Sequence, residues 1–251
     1  MIETESIRAM GADKALQDNA HALFLEMCRY RYSYHFDWMG RPIIQFPQDI
    51  VAMQELIWEV KPDLIIETGI AHGGSLVFSA SMLALLDLCE ATQAGQMLDT
   101  SKPRRRVLGI DIDIREHNRR AIEAHPMASR ISMIQGSSIA PEVVDEVHAF
   151  ARDYSRVLVC LDSNHTHEHV LAELEAYAPL TSVGSYCVVF DTVVEDMPKS
   201  MFPDRPWGPG NNPKTAVHEY LKSHPEFEID RDIQNKLLLT VAPDGYLRRS
   251  R

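Results

Sequence analysis

Several function classes are excluded by what this 251-residue chain lacks. It has four cysteines, Cys28, Cys89, Cys160 and Cys187, far apart and with no C-x-x-C pair. That spacing offers no cluster or zinc-ribbon framework and no sign of an oxidising compartment. Cys160 and Cys187 sit inside apolar runs and read as small buried hydrophobes. Basic residues are in deficit: 25 Lys and Arg against 36 Asp and Glu leave a formal charge of −11. This balance works against non-specific nucleic-acid binding, which draws affinity from neutralised phosphates. The one basic run, Lys102-Pro103-Arg104-Arg105-Arg106, precedes a predicted strand and reads as a solvated loop. No uncharged apolar run approaches ~18 residues, so no membrane partner is expected. Met1-Ile2-Glu3-Thr4-Glu5 carries acids where a secretion signal carries bases, and the expected location is the cytoplasm. Internal repeats and low-complexity segments are missing too. A hydrophobic content of 45% over this length suits one α/β domain with a substantial core, or two small ones.

A dinucleotide fingerprint is also missing, and its absence is informative. The central stretch is Leu64-Ile65-Ile66-Glu67-Thr68-Gly69-Ile70-Ala71-His72-Gly73-Gly74-Ser75. It predicts a buried strand, a tight turn and a helix N-terminus, where exposed N–H groups meet a ligand. G-x-G-x-x-G needs a glycine where Ala71 stands, for close approach to a pyrophosphate, which argues against an NAD-type oxidoreductase. The stretch instead has the form E-x-G-x-x-x-G-G-S and resembles S-adenosylmethionine (SAM) binders of the Rossmann-like methyltransferase type. A second part is expected further on, an acid at the next strand end for ribose hydroxyls. Val107-Leu108-Gly109-Ile110-Asp111-Ile112-Asp113 supplies it in Asp111.

Along the chain, helical spacing covers 11–29, and an aromatic segment follows from Tyr30 to Met39. That segment either lids a cofactor or packs on the main domain. A helix opened by Phe46-Pro47-Gln48-Asp49 and running through Val60 leads into the central strand, and residues 91–105 read as a polar surface loop. Strands are expected at 107–110, over 131–138 as strand and turn, at 157–162 and at 184–191, alternating with helices at 115–124, from Pro141, and at 166–178. Such alternation predicts a mostly parallel sheet with helices on both faces. A helix at 213–223 precedes Phe227-Glu228-Ile229 and Leu237-Leu238-Leu239-Thr240-Val241, a pair expected to close the sheet antiparallel.

Ligands of a parallel sheet bind beyond the carboxyl ends of its strands. Four predicted strand ends carry acids: Glu67, Asp111, Asp162 and Asp191. Asp162 and Asp191 end very apolar strands, where unpaired carboxylates are costly, and are assigned to a hard cation such as Mg²⁺. The alternative is that one of them only caps the next helix, as Asp162 directly precedes one. In Asp162-Ser163-Asn164-His165-Thr166-His167-Glu168-His169 the offsets do not match H-x-H-x-D-H, which argues against a zinc hydrolase. His165, nearest the strand end, is the candidate proton acceptor. His167 and His169 read better as solvated or structural, although His167 is kept as a substrate candidate. Trp207-Gly208-Pro209-Gly210-Asn211-Asn212-Pro213-Lys214 is a turn-rich loop that either binds substrate, through Asn211 and Asn212, or is only a well-made turn.

Taken together, Lys61-Pro62-Asp63, Ile65 to Gly69, His72 to Ser75, Gly109 to Asp113, Leu161 to His165 and Val189-Phe190-Asp191-Thr192 resemble the cephalosporin-hydroxylase family. That family belongs with SAM-dependent O-methyltransferases acting on sugars and natural products. The resemblance runs from about Gly40 to the end. It implies a Rossmann-like class I methyltransferase fold with a seven-stranded sheet over 47–251, and an N-terminal helical extension or lid over 1–46. It implies SAM over Glu67, Gly69, His72, Gly73, Gly74 and Ser75, with Asp111 and Ile112 at its ribose, Ser137 and Ser138 near its adenine, and Asp162 alongside. It further implies Mg²⁺ on Asp162 and Asp191, with His165 at the base position and Asp162 beside it in catalysis. Phe190 stands where some relatives carry an acid and Thr192 where others carry an amide, so the metal set is thinner here. The expected activity is methylation of a hydroxyl on a saccharide or other small acceptor. A non-catalytic SAM-binding module is the alternative, and self-association through the N-terminal segment is a further expectation.

Overall fold

The computed structural model describes residues 2–251. Helices α1 (Ile2–Ala12) and α2 (Lys14–Arg29) are split at Asp13, whose carboxylate caps α2 by accepting Leu16 N–H at 3.0 Å. The aromatic segment forms a 3₁₀ turn at Tyr32–His35 and then the hairpin β1 (Phe36–Trp38) and β2 (Arg41–Ile43). It packs inward: Tyr32 meets Phe36 edge-on at 5.1 Å and Phe46 at 5.3 Å. Trp38 donates to Ser81 Oγ at 3.0 Å.

Pro47 opens α3 (Pro47–Val60), which ends at Lys61 in the left-handed region. The fully buried β3 (Leu64–Thr68) follows, then the glycine turn and α4 (Gly74–Ala94). By length and composition α4 is the one described helix that could cross a membrane. Here it covers the sheet, and its buried Asp87 holds Arg130 at 2.6 Å and Arg105. Arg105 therefore corrects the expectation of a solvated basic run. It is 4% exposed and also meets Glu90 at 2.6 Å, because β4 (Arg106–Asp111) brings it beneath α4.

Then come α5 (Glu116–Glu123), β5 (Ile131–Gln135), α6 (Pro141–Ala151), β6 (Val157–Leu161) and α7 (His167–Tyr177). The chain closes with β7 (Tyr186–Val189), α8 (Pro213–Tyr220), β8 (Phe227–Ile229), α9 (Arg231–Leu237) and β9 (Tyr246–Arg249). The seven-stranded sheet runs β5-β4-β3-β6-β7-β9-β8, and only the pairs made by β9 are antiparallel. Alternate strand residues feed two apolar cores, Ile65, Val107 and Leu158 on one face and Ile66, Leu108 and Val159 on the other.

The closing strand differs from expectation. Residues 237–241 do not pair; the partner of β8 is 246–249. Asp230 caps α9 by accepting Asp232 N–H at 3.2 Å, and Leu238 turns the chain at φ +60. Buried Asp49 then holds the loop, accepting Val241 N–H at 3.0 Å and the Thr240 hydroxyl. Pro243-Asp244-Gly245 makes the turn into β9, a signal the leucine run outweighed. From β3 the chain winds outward through β4 to β5 and returns to β6 on the other side of β3. The crevice of such a sheet opens where that winding reverses, between the carboxyl ends of β3 and β6.

Candidate active site

The glycine turn leaves β3 at that crevice. Gly69 has φ +90, and a Cβ there would lie 2.1 Å from the carbonyl oxygen of Asp162 at the end of β6. Both conformation and crowding therefore demand glycine. Gly73 stands before α4 at φ +83, and a Cβ on Gly74 would reach to 2.2 Å from Pro42 O. Asp111 Oδ2 accepts the N–H groups of Ile70 at 2.8 Å and Ala71 at 3.2 Å, while Oδ1 accepts Asp113 N–H at 3.0 Å. The acid that ends β4 thus shapes the turn directly. Two residues unmarked in the sequence complete it. Arg41 donates through Nε to His72 O at 2.9 Å and through its guanidinium to Asn118 Oδ1, and Asn118 Nδ2 donates to Ala71 O at 2.9 Å.

Across the crevice, Asp162, His165 and Asp191 present one donor atom each, all within 4.8 Å of one another. Asp191 follows β7 in the left-handed region at φ +55, which turns its carboxylate back over the β6 end. His165 Nε2 lies 3.2 Å from Asp191 Oδ2, and the His165 ring meets the edge of Trp207 at 4.9 Å and 88°. Burial pushes the Asp162 carboxyl well above the usual range, and the neighbouring Asp191 and Glu67 carboxylates push it the same way. Gln45 Nε2 donates to Asp162 Oδ2 at 3.3 Å, while its Oε1 is buried without a partner among the described residues. Two crowded carboxylates, an imidazole and an unmatched amide oxygen form a donor set that suits a hard divalent cation.

Behind this cluster lies a small cavity of about 30 Å³, large enough for an ordered water or two, lined by Gln45, Asp49, Glu67, Ser75 and Asp162 among others. Burial raises the Glu67 carboxyl to about 7, against the hydrogen bond from Ser75 Oγ. Asp49 rises to about 6 through burial, despite accepting from Thr240, Val241 and Tyr246. In the unliganded protein each group holds a proton that the unfolded chain has already released in this range. Their stabilisation is therefore complete below about pH 4 and is lost as pH rises through 6 and 7. Glu67→Gln removes the Glu67 share. Urea titrations at pH 5 and pH 8 are expected to differ by about 3 kcal/mol less in the variant than in the parent. An unchanged pH dependence would mean that Glu67 ionises normally.

The principal cavity, about 510 Å³, spans the turn, the carboxylate cluster and two covering segments. Gly69, His72, Gly74, Ser75, Asp162, His165 and Asp191 all line it. The aromatic segment contributes Arg31 to Tyr34 to the wall while its inner face packs on the main domain. The segment after β7 contributes Met197, Phe202, Arg205 and Trp207.

Other expected residues lie outside this lining. Asp111, Ile112, Ser137 and Ser138 flank the ends of β4 and β5; Ile112 is exposed, and Ser138 Oγ is 3.0 Å from His169 Nε2. His167, Asn211 and Asn212 form a brace and are not among the residues lining this cavity. His167 N–H donates to Asn211 Oδ1 at 2.9 Å, and its Nδ1 lies 2.8 Å from Thr215 Oγ1. Asn212 is fully buried as the cap of α8, accepting Lys214 N–H at 2.9 Å and donating to Glu195. Caps consume the polar atoms that a substrate would need.

Residues 30–250 match the family described as Rhamnosyl O-methyltransferase/CmcI. A rhamnosyl O-methyltransferase of Mycobacterium bovis (strain BCG / Pasteur 1173P2) is 30% identical over 218 residues, 85% of this chain and 78% of that protein. The one from Mycobacterium leprae (strain TN) is 28% identical over 214 residues, 84% and 82% of the two chains. Among solved structures, CmcI in its Mg–SAM form aligns with a TM-score of 0.55 at 18% identity, covering 86% of this chain and 77% of that one. The O-methyltransferase from Bacillus cereus in complex with SAH aligns with a TM-score of 0.51 at 14% identity, covering 88% and 90%. These last two likenesses concern the fold. With the family matched over most of its length, this chain belongs to the Rhamnosyl O-methyltransferase/CmcI family.

Proposed function

We propose that this protein is a SAM-dependent, Mg²⁺-assisted O-methyltransferase that methylates a hydroxyl of a saccharide or glycosylated metabolite. One observation carries the reading: the glycine turn and the Asp162–His165–Asp191 cluster face each other across a single cavity at the reversal point of the sheet. The relatives' rhamnosyl acceptors and the Mg–SAM form of CmcI support the choice of acceptor and cofactors.

SAM supplies an already activated methyl group, so the protein's main task is alignment. The turn from Gly69 to Ser75, shaped by Asp111, Arg41 and Asn118, would hold the cofactor. Asp162 and Asp191 would hold the cation, whose charge eases loss of the acceptor's proton. His165, whose Nε2 lies 3.2 Å from Asp191 Oδ2, would take that proton. Trp207 keeps the ring in place and shields that side of the cleft from water. The aromatic segment, through Arg31 to Tyr34, walls the cleft from another side.

The test uses SAM labelled in its methyl group and a panel of rhamnosides, with Mg²⁺ or with EDTA. Label is expected in the sugar, and EDTA is expected to suppress it. Failure of the protein to bind SAM at all would sink the reading.

A further inference from the structure

Two carboxylates and an imidazole leave a hard divalent ion short of oxygen ligands, and Phe190, next to Asp191, offers none. A further oxygen reaches the same place from outside the strand-end loops. Gln45 lies between β2 and α3, is 8% exposed, and donates through Nε2 to Asp162 Oδ2 at 3.3 Å. Its neighbours fix its position. Ile43 and Phe46 are both buried in the core, and Phe46 stacks on Phe24 at 4.9 Å and 18°. Gln45, Ser75 and Asp162 line both the principal cavity and the small one behind it, so they stand in the wall between the two. The Oε1 atom of Gln45 is buried there with no partner among the described residues, which is costly for a carbonyl oxygen. Its competing partners are a water in the small cavity and a cation on Asp162.

Resting on the Mg²⁺-assisted methyltransferase reading, we propose that Gln45 is a cation ligand through Oε1, an amide from the N-terminal stretch that completes the set begun by Asp162 and Asp191. A positive charge on Asp162 repels the Nε2 hydrogens and attracts the carbonyl oxygen. The terminal torsion of a glutamine is broad and soft, so a half-turn exchanges the two atoms without moving the buried stem. The set then carries two negative charges against two positive ones. A third acid in place of the amide would overcompensate the cation and hold it more tightly.

The test is titration of the SAH-saturated protein with Mn²⁺, followed by its spin-resonance signal at one pH and one salt concentration. Gln45→Leu, which keeps the volume and removes the oxygen, is expected to weaken Mn²⁺ about tenfold. That loss alone does not separate a ligand from a side chain that only steadies Asp162. Gln45→Glu does. It keeps an oxygen of the same reach, adds a charge and removes the hydrogen bond to Asp162, and is expected to tighten Mn²⁺ about tenfold. Gln45→Asp carries the same charge on a stem one methylene shorter, and is expected to fall short of that gain.

SAH affinity and urea midpoints report whether each variant keeps its fold, and the two acidic variants carry the test should Gln45→Leu fold poorly. Unchanged Mn²⁺ affinity in Gln45→Leu would give Oε1 to a water and overturn the proposal. Weaker Mn²⁺ binding in Gln45→Glu would do the same, because it would make the amide a donor to Asp162 and nothing more. Equal tightening by Glu and Asp would reduce the effect to added charge, and also overturns it. These three outcomes leave the methyltransferase reading standing. A parent protein that binds SAH but takes up no Mn²⁺ removes the cation and the proposal together, and one that binds no SAH removes the reading itself.

Discussion

Asp162→Asn and Asp191→Asn are each expected to lower turnover by about 10³-fold while SAM affinity stays within about threefold. The carboxylates meet at the carboxyl ends of adjacent strands β6 and β7, with His165 between them, all within 4.8 Å. The proposed cofactor cradle is built from other atoms, the backbone of Gly69 to Ser75. Asparagine keeps the shape and removes the charge that a cation requires. Titration of Mn²⁺ followed by its spin-resonance signal should show the lost cation site independently of any turnover. His165→Gln separates two roles for that side chain: as the proton acceptor it should leave Mn²⁺ affinity intact, and as a third ligand it should weaken it. A second consequence runs against intuition. In the absence of cation, burial and the facing carboxylates destabilise ionised Asp162, so Asp162→Asn should unfold at higher urea than the parent. Loss of SAM binding in these variants, with catalysis normal at saturation, would refute the assignment.

Gly69→Ala is the second large effect, expected to lower folding stability by about 3 kcal/mol or more and to abolish SAM binding. The new methyl would sit 2.1 Å from Asp162 O and 2.7 Å from its carbonyl carbon, at φ +90. Both obstacles are backbone, so neither can rotate away. Relief requires β3 and β6 to part at their carboxyl ends, which are the walls of the crevice. Gly40→Ala is the control. It shares a positive φ of +83 but meets nothing within 4 Å, so conformational strain of about 1 kcal/mol is all that it should show. Urea midpoints of the two variants decide the matter; equal values would mean that the crowding at Gly69 is absorbed.

The order of strands and helices from Leu64 to Asp191 was legible because each strand is a short apolar run ended by a polar residue and a turn. Buried parallel strands have no other way to end, since the chain must leave the core with its backbone groups satisfied. The same logic exposed Asp162 and Asp191. It failed at residues 237–241, where the leucine run reads as a strand. The deciding contact there is the carboxylate of Asp49, almost two hundred positions away in the chain. It failed again at Arg105, which is solvated by its neighbours in sequence and buried by Asp87 in space.

By itself the sequence determined the alternation of elements, the glycine turn and the identity of the acids at the strand ends, because these depend on local periodicity and on chain direction. The tertiary structure alone decided which acids share a cleft, that Asp111 shapes the turn, that Asn211, Asn212 and His167 brace α8, and that Gln45 meets Asp162. Those facts depend on the sheet order and on side chains brought together from distant segments. Proximity of that kind has no period and leaves no mark on neighbouring residues.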